Sequence, residues 1–512
     1  MVTYIIKIWL VITGFDIIVA EECQSKDYGN GGTVCVCTAS SCDFIPPVEK
    51  VDSPNCIIYT SNKAGLRFSK SEGTFKNITS NAWNPIFVDR SRTYQTIIGF
   101  GGAITDAAGI NIKSLSGEAQ QNLMNFFRSY FGPDSIEYTM LRVPMGASDF
   151  SERLYTYDDS NSPDPELKEF KLEQEDFDYK IPYLQQAMEL SGGKLKLLAS
   201  PWTCPKWMKF IPSFVSMLGI IREDMLQPWA NYYIKFLESY KENKLEFWGI
   251  TTGNEPSVGF TPIPLPSIGF TSGGLSKWVA NNLGPTIRDS NYSNIKIVTL
   301  DDQRIFLPMF IDDMLANPAT RQYVDGIGVH WYFDKFIPTT VLDITHDHHP
   351  DKFLLGTEAC RGELPWEPKV VLGSWERGED YATGIVEDLR HWFVGWLDWN
   401  IALNLKGGPN IVNNFVDSPI LVNATADEFY KQPMFYAMGH FSKFIPQDSV
   451  RIEVSYFDPS ILTVAFRRPD DGILVNIINL RNDDLDVALV DRRIGQVDLR
   501  LTRRSFTSIL YW

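Results

Sequence analysis

The chain has 512 residues, 44% of them hydrophobic and 21% charged, which argues against a disordered or fibrous protein and leaves room for one large core with satellites. Its formal charge of −16 and sequence pI near 4.9 argue against nucleic acid as a partner, because phosphate binding requires a basic surface.

Residues 1–20, MVTYIIKIWLVITGFDIIVA, carry one lysine, Lys7, then an apolar run, and end on Ala20. This predicts a secretory signal peptide; because Asp16 interrupts the run, a short membrane anchor is the alternative. No later segment offers the ~20 uninterrupted apolar residues of a spanning helix, so a soluble mature protein is expected. Cys23, Cys35, Cys37, Cys42 and Cys56 fall close together and predict a small disulfide-stapled subdomain, whereas Cys204 and Cys360 stand apart. Zinc is the rival for the cluster, but the cysteines lack C-x₂-C spacing and have no histidine nearby. Sequons at Asn77, Asn291 and Asn423 are glycosylation candidates and agree with an oxidising, luminal or extracellular location.

Between residues 97 and 400, short apolar runs alternate with longer helical patterns, the mark of repeated βα units. The runs are 97–102, 138–145, 195–202, 246–256, 296–302, 326–332, 353–359 and 395–400. After the first, Ser116 is expected to cap a helix carrying Leu123, Phe126, Phe127 and Tyr130, stopped by Gly132-Pro133. After Pro228, Trp229, Tyr232, Tyr233, Phe236, Leu237 and Tyr240 recur at one-face helical spacing. Eight such units predict an α/β fold, a (β/α)₈ TIM barrel, with an open doubly wound sheet as the alternative. From about residue 451 onward the pattern alternates apolar and polar around turns such as RPDDG, and residues 47–92 hold similar short strands. Both ends are therefore expected to close a β-sandwich around the inserted barrel.

Polar residues collect at the strand ends: Arg142 and Asp149 after the second, Trp202 on the third, Asn254-Glu255 on the fourth and Asp302-Gln303 after the fifth. His330-Trp331-Tyr332 end the sixth, Glu358 the seventh and Trp399-Asn400 the eighth. One strand-end carboxylate reads as a solvated residue at a loop junction; two, on strands four and seven across a mouth lined with Trp and Tyr, point to catalysis on a carbohydrate. Trp278 and Trp392 are expected in ordinary core packing. No phosphate loop, H-E-x-x-H or G-x-S-x-G is present. HDHHP, 346–350, is expected to be a polar loop before strand seven rather than a metal site, and no metal or cofactor is predicted.

The ordered blocks VCVCTASSCD, GFGGAITDAA, LRVPMGASDFS, LLASPWTCPKWMK, GNEPSVGF, VHWYFD, TEAC, GWLDWNIALNLKGGPN and KQPMFYAMGHFSKFIP closely resemble the lysosomal glucosylceramidases of glycoside hydrolase family thirty, along nearly the whole mature chain. The resemblance implies a barrel at 93–400 plus 433–448 and an immunoglobulin-like sandwich at 47–92 plus 449–512. It also implies a small three-stranded N-terminal domain at 21–46 plus 401–432. It makes Glu255 the general acid/base and Glu358 the nucleophile of a retaining enzyme, and puts Arg142, Asp149, Trp202, Asn254, His330, Tyr332, Trp399 and Asn414 around a glucose. It pairs Cys23 with Cys35 and Cys37 with Cys42. The implied activity is hydrolysis of glucosylceramide in the lysosome or after secretion. A steroidal or other β-glucoside as main substrate, and a non-catalytic glycolipid-binding homologue, are the alternatives.

The segment 209–221, KFIPSFVSMLGII, is far more apolar than that resemblance leads one to expect. With 259–270 and 333–338 it forms either a greasy rim for lipid tails or a membrane surface, or packs on the barrel top. Phe214 and Met217 are the residues expected to face lipid. A saposin-type activator is a further implied partner, but an acidic activator needs a locally basic patch on so acidic a chain.

Overall fold

A computed structural model of the chain describes residues 22–79, 83–115, 120–215 and 219–512. The expected signal peptide, the Ser116 cap and Met217 lie outside the described residues.

Eight strands carry the site: β1 (Gly99–Ala103), β2 (Met140–Pro144), β3 (Lys196–Ser200), β4 (Gly249–Thr251), β5 (Lys296–Gln303), β6 (Gly326–His330), β7 (Phe353–Glu358) and β8 (Phe393–Asn400). Every neighbouring pair is parallel and β8 pairs back with β1, so the sheet closes into a barrel and is not an open doubly wound sheet. The strands are buried on both faces, which is why they read as continuous apolar runs. Met140, Leu198, Val298, Leu355 and Leu397 fill the interior, and the helices cover the outside. The β1 glycines let backbones approach: a Cβ on Gly101 would stand 1.8 Å from the Met140 carbonyl oxygen.

The helix Leu226–Glu242 buries the expected face of Trp229, Tyr232, Tyr233, Phe236, Leu237 and Tyr240, with Pro228 in its first turn. Trp278 is fully buried, and Trp392 stacks on His346 with ring centroids 3.7 Å apart. HDHHP is not a loop: it ends the helix Thr340–His348. There His348 and His349 face Asp312 at 3.0 and 2.8 Å.

The chain ends build one nine-stranded sheet from Asn55–Asn62, Ser69–Thr74 and Pro85–Thr96 together with the six strands after residue 449. Its two edges meet at a bridge between Lys76 and Gln496, folding it into a sandwich over a core that includes Ile86, Val475, Leu489 and Ile509. Pro85–Thr96 continues past residue 92 and links this core directly to β1.

The smaller sheet has five strands rather than three: Ser25–Asp27 and Thr33–Cys37 pair with Glu428–Lys431, Ile420–Asn423 and the two-residue Leu403–Asn404. Disulfides join Cys23 to Cys35 and Cys37 to Cys42, while Cys56, Cys204 and Cys360 are free and buried. The segment 405–419 joins Leu403–Asn404 to Ile420–Asn423 of this sheet and crosses the barrel mouth, where the Ile411 N–H donates to the Asp149 carbonyl at 2.9 Å. Asn77 and Asn291 are exposed, whereas Asn423 is half-buried and donates to the Tyr430 hydroxyl at 2.9 Å.

Candidate active site

β4 ends at Thr251, so Asn254 and Glu255 stand beyond the strand and not on it. Gly253 (φ +133) and Glu255 (φ +44) turn the chain there. A left-handed conformation at a glutamate persists only where its surroundings fix it. The fixing bonds are Asn254 N–H to the Pro201 carbonyl and Glu255 N–H to the Asp301 carbonyl, each 2.9 Å. Oε1 of Glu255 accepts from Gln303 Nε2 at 2.7 Å and faces His330 Nδ1 at 2.9 Å.

Glu358 is the last residue of β7. Its Oε2 accepts from the Arg142 guanidinium and its Oε1 from the Tyr332 hydroxyl, the latter at 2.8 Å. A carboxylate oxygen of Glu255, one of Glu358 and a ring nitrogen of His330 all lie within 4.8 Å of one another. Those three groups have the spacing of a metal-ligand set, but the charge balance here comes from within the protein. His330 faces carboxylates at both ring nitrogens, Glu255 at Nδ1 and Asp301 at Nε2, 3.2 Å away. Burial alone would lower its pKa; Glu358, Asp301 and Glu255 outweigh burial and raise it to about 10, so the ring is an imidazolium at neutral and acidic pH. Burial raises the Glu358 carboxyl, as does the nearby Glu255, while His330 and Arg142 oppose the shift.

Asp301 is fully buried and accepts from Arg142 at 2.8 Å and from the Ser200 hydroxyl at 2.9 Å. Burial by itself would raise its pKa, but Arg142 and His330 hold it well below the usual carboxylate range. Sequence reading placed the strand-end acid at Asp302 instead. The reason is a bulge: the β5 register shifts between Leu300 and Asp302, with positive φ at Leu300 and Asp301, which breaks the alternation that tells inward from outward. Asp302 braces the Glu255 loop by accepting from the Ser257 and Gln303 N–H groups at 3.0 and 2.8 Å. Burial and the Glu255 charge push its pKa up to about 7.

Asp149, Trp202, Asn254, Tyr332, Trp399 and Asn414 line a cavity of about 140 Å³ together with Glu255 and Glu358. The Trp202 and Trp399 rings stack at 5.0 Å and 16°. Arg142 and His330, expected around a sugar, lie fully buried behind the two glutamates and do not line the cavity. Burial and the charge of Glu358 push Asp149 up to about 7, opposed by hydrogen bonds from Asn410 (3.1 Å) and Asn414 (3.5 Å). Asp301, Asn410, Leu265, Glu363 and Val416 have no place in the sequence expectations, and Cys360 enters them only as an isolated cysteine; of these only Asp301, beside a strand-end acid, had a local signal.

Around the mouth Phe210, Ile211, Phe260, Ile263, Phe333 and Phe336 are exposed. Phe214, expected among them, is buried at 8% exposure, with the Lys206 ammonium 4.2 Å from its ring centroid. Its carbonyl accepts from the buried Lys209, which also reaches the Ser267 carbonyl at 2.7 Å and so ties two mouth loops together.

Residues 97–445 match the glycosyl hydrolase family 30 TIM-barrel domain, and residues 448–509 the family 30 beta sandwich domain. The chain is 41% identical over 482 residues to lysosomal acid glucosylceramidase of Mus musculus, covering 93% of each. It is 41% identical over 499 residues to putative glucosylceramidase 4 of Caenorhabditis elegans, covering 95% of this chain and 94% of that one. Among solved structures, SrfJ from Salmonella typhimurium superimposes with TM-score 0.83 at 23% identity, covering 89% of this chain and 99% of that one. The barrel and the sandwich, each matched by a domain model of the family, make this chain a member of glycoside hydrolase family 30 and a glycoside hydrolase.

Proposed function

We propose that the chain is a retaining β-glucosidase that hydrolyses glucosylceramide to glucose and ceramide, in the lysosomal lumen or after secretion. The observation that carries this reading is the approach of the Glu255 and Glu358 carboxylates to within 4.8 Å. Retaining enzymes hold the two groups ~5–5.5 Å apart, whereas inverting enzymes need roughly 6.5–9.5 Å to admit water between them. The 41% identity to proteins named as glucosylceramidases supports that choice of substrate.

In the first step a Glu358 oxygen attacks the anomeric carbon as Glu255 gives its proton to the glycosidic oxygen. The C–O bond breaks with its electron pair on the departing alcohol, leaving an α-linked glucosyl ester on Glu358. Glu255 then takes a proton from water, whose oxygen displaces Glu358 and yields β-glucose. Gln303 and His330 both occupy Oε1 of Glu255, so the transferable proton belongs on Oε2. Arg142 and Tyr332 aim Glu358. Trp202 and Trp399 suit the apolar C–H face of the sugar, Asp149 and Asn414 its hydroxyls, and Asn254 the 2-hydroxyl, whose hydrogen bonds strengthen in the transition state. The exposed aromatic rim suits peripheral contact with a lipid surface.

The test compares wild type and Glu358→Gln on glucosylceramide, a steroidal β-glucoside and a fluorogenic aryl β-glucoside at about pH 5, with NMR identification of the anomer first released. β-Glucose from wild type and loss of turnover in the variant are expected. α-Glucose as the first product, or comparable activity in both proteins, would falsify the assignment; a faster steroidal substrate would move the aglycone.

A further inference from the structure

Glu363 follows Glu358 on the loop after β7 and faces two cavities. It lines the catalytic cavity and also a side pocket of about 280 Å³ walled by Trp331, Phe336 and Leu364. Tyr332, which donates to Glu358, is shared by both. Glu363 and Tyr332 thus stand between the two cavities, and the side pocket sets the Trp331 ring and the Leu364 side chain beside charged groups such as Asp334, Lys335 and Asp380.

The carboxylate of Glu363 is only 15% exposed, and its Oε1 lies 3.8 Å from the Arg361 guanidinium, too far for a hydrogen bond. Arg361 is instead engaged by Asp380 at 2.6 Å. Oε2 of Glu363 is buried and has no hydrogen-bond partner among the described residues. An acceptor kept from solvent without a donor is costly, and a ligand that supplies the donor recovers that cost on binding.

The loop holds this acceptor in place. Gly362 has φ +87, and a Cβ there would stand 2.3 Å from the Lys369 carbonyl oxygen. The Lys369 ammonium reaches back to the Gly362 and Leu364 carbonyls at 2.8 and 3.3 Å. Arg377 in turn donates to the Lys369 carbonyl at 3.0 Å. A fixed acceptor beside a reacting bond selects among ligands more sharply than a mobile one.

We propose that Glu363 is a specificity-determining residue: it accepts a hydrogen bond from an N–H or O–H carried by the aglycone next to the scissile bond, and so favours amphipathic acylamino-alcohol aglycones over plain alkyl ones. The Trp331 and Leu364 side of the pocket takes the carbon skeleton beyond that donor. This inference rests on the β-glucosidase reading and deepens it.

The experiment measures kcat/KM for two soluble β-glucosides of matched apolar length, one with an alkyl aglycone and one with a 2-acylamino-1,3-diol aglycone. The full chain is used as wild type and as Glu363→Ala. The ratio of the two values is expected to fall about ten-fold in the variant, the size of one lost hydrogen bond. Glu363→Met, close in length and without an acceptor, carries the same comparison where Glu363→Ala fails to fold. Hydrolysis of both substrates with the ratio unchanged within about two-fold overturns the inference alone. A wild type that hydrolyses neither glucoside overturns the β-glucosidase reading, and the inference with it.

Discussion

Arg142 donates to Asp301 at 2.8 Å, and neither side chain has any exposed surface. The same guanidinium also holds Glu358 and the Asn254 side-chain oxygen, the latter at 2.7 Å. One buried cation thus ties the ends of β2, β4, β5 and β7 together beneath the cavity. Taking a charge out of water is tolerable only with full pairing, and Asp301, outside the cavity itself, completes that pairing from below for both Arg142 and His330.

Asp301→Asn is therefore expected to destabilise the fold by about 3–5 kcal/mol near neutral pH, the range for removing one partner of a buried pair, with a large loss of activity. The Asp301 carboxyl titrates well below the usual carboxylate range in the fold. Its contribution is present above the unfolded-state pKa of roughly 3.9 and is lost as pH falls toward the folded value. Urea unfolding of wild type and variant checks both points: the stability gap should be widest above about pH 5 and narrow below about pH 4. A gap that grows on acidification would reverse the sign of the argument.

Asp149 works the other way. Burial raises its pKa to about 7, so the fold disfavours its charged form. The stability this group contributes is full below the unfolded pKa of roughly 3.9 and declines as pH rises through about 7. Asp149→Asn should stabilise the protein at pH 7.5 by about 2–4 kcal/mol while raising KM for a glucoside, a trade of stability for binding. Thermal unfolding at pH 4 and pH 7.5 measures it. Equal melting shifts at both pH values would refute the linkage.

The barrel and its two glutamates were legible because strand ends follow from apolar runs, and a carboxylate at an apolar strand end stands out. The geometry beneath them was not. The β5 bulge moved the inward acid from Asp302 to Asp301, and no residue pattern marks a bulge made without glycine. Family resemblance placed Arg142 and His330 around the sugar, and their polarity at a strand end does not reveal their depth. Asn410 and Asn414 sit in an irregular crossing segment with no periodicity to read; Asn414 was available only through family resemblance. The three strands of the small sheet came from family resemblance; Leu403–Asn404 and Ser25–Asp27, two and three residues long, are too short to show alternation in the sequence.

Phe210, Phe333 and Phe336 stand exposed on the rim, whereas Phe214 lies under Lys206. Replacing Phe210 and Phe333 with Ser should lower turnover of glucosylceramide in anionic vesicles by about ten-fold, since each removes part of the roughly 1.5–3 kcal/mol that burying a Phe supplies. Turnover of a soluble aryl glucoside should stay within about two-fold. Phe214→Ser should instead lower the melting temperature and reduce activity on both substrates. A vesicle assay beside a soluble assay separates these outcomes, and equal losses on both substrates for the Phe210 and Phe333 double variant would dismiss the rim as a lipid contact.

Glu255→Gln keeps the shape of the side chain and both contacts to its Oε1 position, but removes the proton donor of the first step and the base of the second. With a poor leaving group, turnover should fall by about 10²–10⁴, the range for one acid/base group. With a dinitrophenyl leaving group the first step needs no acid, so the glucosyl ester on Glu358 should accumulate and show a burst. Azide, which attacks without general-base help, should then restore turnover and release β-glucosyl azide. His330 and Gln303 remain to hold the amide in place, so loss of activity through misplacement is not expected. Mass spectrometry of the trapped protein and NMR of the azide product measure both outcomes; a variant that shows neither burst nor rescue would take the acid/base role away from Glu255.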